Sequence, residues 1–348
     1  MTDPTQTPTT EDRMSTQPPT TSTTTADRLT QGEAYVLMFG GQATPWRTTL
    51  SELAGTDRDL AARLVALDEA VSRRLAPVST DLLVVTPRGS RLLDETAAPV
   101  APASSAADTA DVSVPGILMA QQAVLCGLPA AGVDVLGSAA PAEVIGHSQG
   151  VLGVALLRAL READGDVTAP AVTDVHALAR LIGAAAARTT QRLGLGASGE
   201  STPMLSVRGV TRDVLDAVLA RVPGLAGEHA VTVGVVNGRQ AHILSGRPAD
   251  LERVVTALEQ AAARSAEDRK ERRRGGAVLA PVTEFLATSV PFHTPLLEQA
   301  VTDVVAWAER CGIDTGLARE LAVAVLIDPV DWPALVTQAL AKADGARL

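Results

Sequence analysis

The chain has 348 residues, 46% of them hydrophobic but only 2% aromatic, and a formal net charge of −10. That length serves one large domain with a smaller one, or two domains, and the aliphatic bias suits helices packed on a parallel sheet. The acidic balance argues against nucleic acid or an anionic membrane as the main partner.

Residues 1–31 are rich in Thr, Pro, Gln and Asp. They bury too little apolar surface to offset ordering entropy, so a disordered leader or extension is expected. No apolar signal core stands there and no apolar run reads as a bilayer span, which predicts a cytoplasmic protein. Ala34-Tyr35-Val36-Leu37-Met38-Phe39 reads as a buried strand, and Gly40-Gly41-Gln42-Ala43-Thr44 as a glycine-rich turn after it. Such a turn brings backbone N–H groups close to a ligand, but the spacing is neither a P-loop nor a dinucleotide fingerprint. It is either an ordinary tight turn or the source of one oxyanion donor, the N–H of Gln42. Residues 49–76 carry helical spacing, with Leu53, Leu60, Leu64, Leu67 and Val71 on one stripe. Residues 96–112 read as a loop or insertion, and residues 115–126 as an apolar helix with Pro115 in its first turn. Cys126 and Cys311 both sit in apolar helical surroundings and are read as buried reduced thiols.

A short apolar run, Ala142-Glu143-Val144-Ile145, leads into Gly146-His147-Ser148-Gln149-Gly150, and Val151 opens an apolar helix. Strand, G-x-S-x-G, then helix is the context that a nucleophile elbow requires. Side chains at Gly146 or Gly150 would collide with neighbouring backbone at so sharp a turn. The turn lifts Ser148 clear of the sheet and beside a helix N-terminus, where developing negative charge is favoured. Asp164-Gly165-Asp166 marks a break. An alanine-rich helix is expected over 174–191, with Asp174 as its cap, followed by a flexible turn from Gly194 to Ser201.

Residues 203–288 change character. Strands are expected at 204–207, 231–236, 241–244 and 283–288, with helices at 212–222 and 248–264 and a hairpin turn at Asn237-Gly238. The order β-α-β-β-α-β is that of a ferredoxin-like unit inserted into the larger body. The basic run Arg269-Lys270-Glu271-Arg272-Arg273-Arg274 reads as a solvated loop, with contact to a nucleotide phosphate or an acidic carrier protein as the lesser alternative. After it come a helix over 296–309, an apolar strand over 321–327, and a turn at Asp328–Trp332 into a closing helix.

A serine nucleophile needs a base, usually histidine. Of five histidines, His147 is adjacent to Ser148 and must point elsewhere. His176 reads as a surface residue near a helix start, and His229 and His242 as strand or turn residues of the inserted unit. His293 stands between two prolines at the end of an apolar strand, and a rigid loop suits a base held in fixed orientation. A satisfied core histidine is the other reading. No carboxylate is singled out as a third triad member, so a Ser-His dyad held by backbone carbonyls is the economical reading.

Together Phe39-Gly40-Gly41-Gln42, Gly146-His147-Ser148-Gln149-Gly150, Asn237-Gly238 with Leu244-Ser245-Gly246, Val290-Pro291-Phe292-His293 and Asp328-Pro329-Val330-Asp331-Trp332 resemble the acyltransferase domains of fatty acid and polyketide synthases, the malonyl-CoA:ACP transacylase fold. Gln149 is most similar to the type I fatty acid synthases of fungal and actinobacterial kind, in which this chain would be an excised or separate acetyltransferase domain. The resemblance implies an α/β-hydrolase-like body with a parallel sheet (32–202 and 289–348) and a ferredoxin-like subdomain (203–288). It also implies Ser148 as acylated nucleophile, His293 as base oriented by carbonyls near 326–328, and an oxyanion hole from the N–H groups of Gln42 and Gln149. Gly41, His147 and Asn237 would shape the substrate site. Malonyl-specific members carry an arginine that pairs with the malonyl carboxylate. The matching run here, Leu178-Ala179-Arg180-Leu181-Ile182-Gly183, puts Ile182 at that place, which suits an acetyl methyl group. The implied reaction moves acetyl from acetyl-CoA to the phosphopantetheine thiol of an acyl carrier protein, with other synthase domains as partners and no metal or bound cofactor. Malonyl or longer acyl transfer, a serine esterase or thioesterase, and a non-catalytic assembly module are the alternatives.

Overall fold

The computed structural model of the chain describes residues 25–30, 32–42, 44–83, 91–94, 96–99, 109–195, 201–225, 231–272 and 279–343, without the side chains of 26, 30 and 268–272. The leader lies outside these residues except for its end. There Thr25–Thr30 forms one short helix, α1, because Leu29 finds cover against the main core.

Strand β1, Val36–Phe39, pairs in parallel with β2, Glu143–Gly146. Val36 stands opposite Glu143 and Phe39 opposite Gly146. A parallel register delivers the two following turns to the same edge of the sheet, where α/β folds place their sites. The stripe expected to form one helix over 49–76 forms two, α2 (Trp46–Thr56) and α3 (Arg58–Arg74). Asp57 divides them: its carboxylate accepts the N–H groups of Asp59 and Leu60 and caps α3. Helix α4 is Ser79–Leu83. Helix α5, Ala110–Gly127, starts five residues earlier than expected and holds Pro115 in its interior rather than its first turn. The loop expected over 96–112 is helical from Ala110, and its residues 100–108 lie outside the described part.

The segment Ala110–Ala131 is long and apolar enough to cross a membrane by length and composition, which corrects the reading that no such run exists. Its apolarity has a different use. Helix α5 is covered by α2, α3, α6 (Gly150–Glu162) and α7 (Pro170–Arg192), and 12 of its 18 residues are buried against them. Helix α7 begins at Pro170, four residues before the expected cap. Asp174 therefore lies inside the helix and takes the Arg74 guanidinium instead, Nε to Oδ1 2.7 Å. The turn expected after it reaches residues 196–200, which lie outside the described part.

The inserted unit runs β3 (Met204–Arg208), α8 (Arg212–Leu219), β4 (Thr232–Gly238), β5 (Ala241–Ser245), α9 (Pro248–Arg272) and β6 (Val282–Phe285). Strand β3 lies between β6 and β5, antiparallel to both, and β4 is antiparallel to β5. The expected β-α-β-β-α-β order is met, over a separate apolar cluster that includes Leu205, Leu215, Leu244 and Leu251. Asn237-Gly238 is not the hairpin turn. Gly238 pairs with Ala241, so Arg239-Gln240 make the turn, and an irregularity between Val236 and Gly238 takes Asn237 out of the ladder. Helix α9 extends into the basic run. Residues 269–272 are therefore helix where a loop was expected; their side chains, and residues 273 and 274 altogether, lie outside the described part.

Beyond a single turn at Pro295–Leu297 come α10 (Glu298–Arg310), α11 (Thr315–Leu326), β7 (Val330–Asp331) and α12 (Trp332–Lys342). The strand expected over 321–327 is the second half of α11. Asp314 caps that helix through the N–H of Leu317, and Ala318, Leu321, Ala322, Val325 and Leu326 are its buried face. Strand β7 joins the subdomain sheet in parallel beside β4, with Val330 opposite Val235. The C-terminal part of the body is thereby fastened to the inserted unit.

Candidate active site

The elbow between β2 and α6 is as tight as its glycines require. A Cβ on Gly150 would stand 2.1 Å from the Phe39 carbonyl oxygen, and one on Gly146 would stand 2.3 Å from the Gly150 carbonyl carbon. Ser148 takes a left-handed backbone, φ 55°, which a non-glycine residue holds only when its surroundings impose it. Its Oγ lies 2.7 Å from Nε2 of His293. His293 is itself left-handed, φ 60°. Its Nδ1 lies 2.7 Å from the carbonyl oxygen of Asp328. A carbonyl only accepts, so Nδ1 carries the proton and Nε2 is left to accept from the serine hydroxyl. Burial pushes the His293 pKa down to about 4, against the Asp328 carbonyl, which raises it, and with a smaller lowering from His147. At neutral pH the ring is uncharged and able to take a proton.

The inserted unit holds the histidine loop. Ser245 of β5 donates its hydroxyl to the carbonyl of Phe292. Thr294 donates its N–H to the Leu326 carbonyl at 3.1 Å. On β4, a Cβ at Gly234 would stand 2.9 Å from the Cβ of His293, so strand and loop meet at backbone distance.

The turn after β1 lies against the elbow in the same way. A Cβ on Gly41 would stand 2.8 Å from the His147 carbonyl oxygen and 3.2 Å from the Gln149 nitrogen. Gln121 of α5 donates its amide to the Gly40 carbonyl at 2.8 Å. Gln149 donates its side-chain amide to Oε1 of Gln42, also at 2.8 Å. This side-chain hydrogen bond ties the turn after β1 to the elbow that carries Ser148. His147 turns away from Ser148, as expected: its Nε2 is 2.8 Å from Oδ1 of Asn237 across the subdomain boundary, and its ring meets Trp332 edge-on at 5.0 Å.

Ser148 and His293 open onto a cavity of about 580 Å³ between body and subdomain. From the body it is lined by Gln42 and Thr44–Thr48, by Ser113 and Ile117 of α5, and by His147 and Phe292; from the subdomain by Met204, Val235, Asn237, Ile243 and the segment after β6. Ile182, expected against the acyl group, is not on this wall. It is fully buried in α7 within the main core. A Cβ on its neighbour Gly183 would stand 2.4 Å from the Ala110 carbonyl, so α7 packs on the start of α5, and it is Ser113 and Ile117 that face the cavity. The reading from sequence also missed Arg47, whose guanidinium lies 4.4 Å over the Trp46 ring, because no spacing rule marks the first turn of α2 as cavity wall. His176 is buried in mid-helix, not on the surface, with Nε2 2.9 Å from Oε1 of Gln122. His242 is buried on β5 with Nε2 3.0 Å from the Val210 carbonyl, and His229 lies outside the described residues.

Residues 203–285 match the family model described as the fatty acid synthase central AT domain. No curated protein sequence matches the chain. Among solved structures, malonyl-CoA:acyl carrier protein transacylase (FabD) of Xanthomonas oryzae superimposes with a TM-score of 0.57 at 20% identity, over 89% of this chain and 85% of that one. FabD of Acinetobacter baumannii gives 0.57 at 19%, over 89% and 85%. A malonyl-transacylase solved in complex with its type II polyketide synthase acyl-carrier protein gives 0.54 at 16%, over 89% and 86%. The fold of this chain is the malonyl-CoA:acyl carrier protein transacylase fold.

Proposed function

We propose that the chain is a serine acyltransferase that carries an acyl group, acetyl in the first place, from coenzyme A to the phosphopantetheine thiol of an acyl carrier protein. The observation that carries the reading is the Ser148 hydroxyl 2.7 Å from a neutral His293 whose other nitrogen is fixed by the Asp328 carbonyl. Ser148 Oγ attacks the thioester carbon while His293 Nε2 takes its proton. The oxyanion is met by the N–H groups of Gln42 and Gln149, each worth roughly 3–4 kcal/mol of barrier. The thioester C–S bond breaks, the thiolate of coenzyme A takes the proton back from His293, and an acyl-serine ester remains. The carrier thiol then gives its proton to His293 and attacks the ester, and Ser148 leaves with that proton. The match of 203–285 to a fatty acid synthase acyltransferase model, and a relative of this fold solved with a carrier protein, support the class of reaction and the partner.

A serine hydrolase alternative needs a carboxylate on the histidine, where a backbone carbonyl stands here. Acetyl rather than malonyl is the reading because α7, the helix in which malonyl-specific members carry their arginine, presents no cation to the cavity, whose one fixed charge among the described lining residues, Arg47, comes from α2. Arg180 of α7 is buried in an ion pair with Asp68. The test is the mass of the intact protein after brief exposure to acetyl-CoA and, separately, malonyl-CoA. One added acetyl group is expected, absent in Ser148→Ala. A protein that takes up malonyl in strong preference would overturn the acetyl assignment, and one that takes up neither would overturn the transferase reading.

A further inference from the structure

Arg47 is the one side chain of fixed charge among the described residues that line the cavity. The reaction just proposed does not use it. Its place is set by the start of α2. Trp46 is buried, with its ring where a Cβ on Gly116 of α5 would stand 2.6 Å from it, so the indole is pinned between helices. The Arg47 guanidinium lies 4.4 Å above that ring, a stacking that steadies the cation. Exposure grades along the wall: Trp46 is buried, Arg47 half-buried and Thr48 exposed. Arg47 and Ser148 line the same cavity, so cation and nucleophile face one space.

The mouth side of the cavity is where the long arm of a thioester substrate runs once its carbonyl is at Ser148. The arm shared by both substrates of the proposed reaction ends in a phosphate. A planar guanidinium suits phosphate oxygens, since two N–H groups reach two oxygens at once. The first turn of α2 adds to the same field: it holds no acidic residue, and its Pro45 cap makes no side-chain hydrogen bond. Resting on the acyltransferase reading, we propose that Arg47 is a substrate-binding residue that receives a phosphate of the pantetheine arm, and so selects phosphorylated thioesters over simple ones. On this assignment Arg47 contributes to binding and not to the chemical step, because it is remote in kind from the proton and acyl movements at Ser148.

The experiment compares three acetyl donors on the wild type, Arg47→Gln and Arg47→Lys, with acetylation of Ser148 as the readout. The donors are acetyl-CoA, S-acetyl phosphopantetheine, which keeps only the arm phosphate, and S-acetyl pantetheine, which has none. For Arg47→Gln, KM for acetyl-CoA should rise roughly tenfold with kcat retained, the loss of one charge-assisted contact at a half-exposed place. Arg47→Lys should fall between. S-acetyl pantetheine should react alike with all three proteins. A loss on S-acetyl phosphopantetheine equal to that on acetyl-CoA supports the assignment to the arm phosphate, and a loss on acetyl-CoA alone would overturn it in favour of the nucleotide phosphates. An equal loss on all three donors, no loss on any, or a loss confined to malonyl-CoA when that donor is added would overturn the assignment. Failure of the wild type to acetylate Ser148 with any donor would instead remove the acyltransferase reading, and it is seen before any variant is made.

Discussion

Ser148 and His293 are the two non-glycine residues of the site held in left-handed backbone, and each is held by close packing rather than by its own preference. For Ser148 the packing is Phe39 against Gly150; for His293 it is Gly234 of β4. The base is tuned by burial. With its pKa pushed down to about 4, His293 is neutral across the physiological range and loses its acceptor lone pair only in acid. The rate constant for Ser148 acetylation, followed by quenched-flow mass spectrometry, should stay flat from about pH 8 down to about pH 5 and fall as pH approaches 4, the expected direction for a depressed imidazole. A midpoint above about pH 6 would mean that the ring is not desolvated as the structure has it. The clamp between the Gln149 and Gln42 side chains belongs to this scale too: it joins two peptide units more than a hundred positions apart in the chain.

At the scale of elements, α7 is tied to α3 by a buried pair. Asp68 accepts from Arg180 and also from the N–H groups of Leu92 and Leu93, at 3.1 Å and 3.2 Å for its Oδ2. Both side chains are removed from water, so the pair carries a large desolvation cost that its hydrogen bonds offset. Removing one member leaves a buried charge and costs far more than the net worth of the pair. Asp68→Ala should lose about 3–5 kcal/mol in urea unfolding. The double change Asp68→Leu with Arg180→Met should recover only part of it, since it removes the unpaired charge but leaves the Leu92 and Leu93 N–H groups without their acceptor. If the single variant unfolds like the wild type, Asp68 is not the anchor described. The expectation of a helix stripe over 49–76 survives in α2 and α3, while its continuity does not, because one capping aspartate outcompetes propensity.

For the whole molecule, two histidines are stored uncharged inside the fold. His293 is lowered to about 4 and His176 to about 3, in both cases chiefly by burial, with Arg180 adding to the effect on His176. In the unfolded chain each would titrate near the ordinary value of about 6.5. A depressed folded pKa means that the unfolded state binds the proton first. The contribution of each ring is therefore complete above about pH 6.5 and is lost as pH falls from there toward about 4, by about 1.4 kcal/mol per ring per pH unit. Melting temperature should drop steadily between pH 6.5 and 4.5, and His176→Gln should flatten that slope. A slope unchanged by the substitution would show that His176 is not buried as a neutral ring. The subdomain is part of the same economy of packing: strand β7, Ser245 and Gly234 make it a wall for the His293 loop and not an appendage.

Local signals in the chain determined the elbow at Gly146–Gly150 and the β-α-β-β-α-β order of the inserted unit, because glycine geometry and alternating apolar runs are each written within a few residues; they marked His293 only as one candidate base in a proline-bounded loop, with a core histidine as the other reading. The helix over Thr315–Leu326 was misread as a strand since a short apolar run fits either period, and only the Asp314 cap and the faces offered by neighbouring helices decide it. Ile182 shows the same limit at the site. Sequence can say which residue occupies a place in a motif, but which way a helix turns that residue depends on what packs against it, here the start of α5. Arg47 came from no motif at all. It reached the cavity because Trp46 is pinned against Gly116, seventy positions away in the chain, a contact that exists only once α2 and α5 have met.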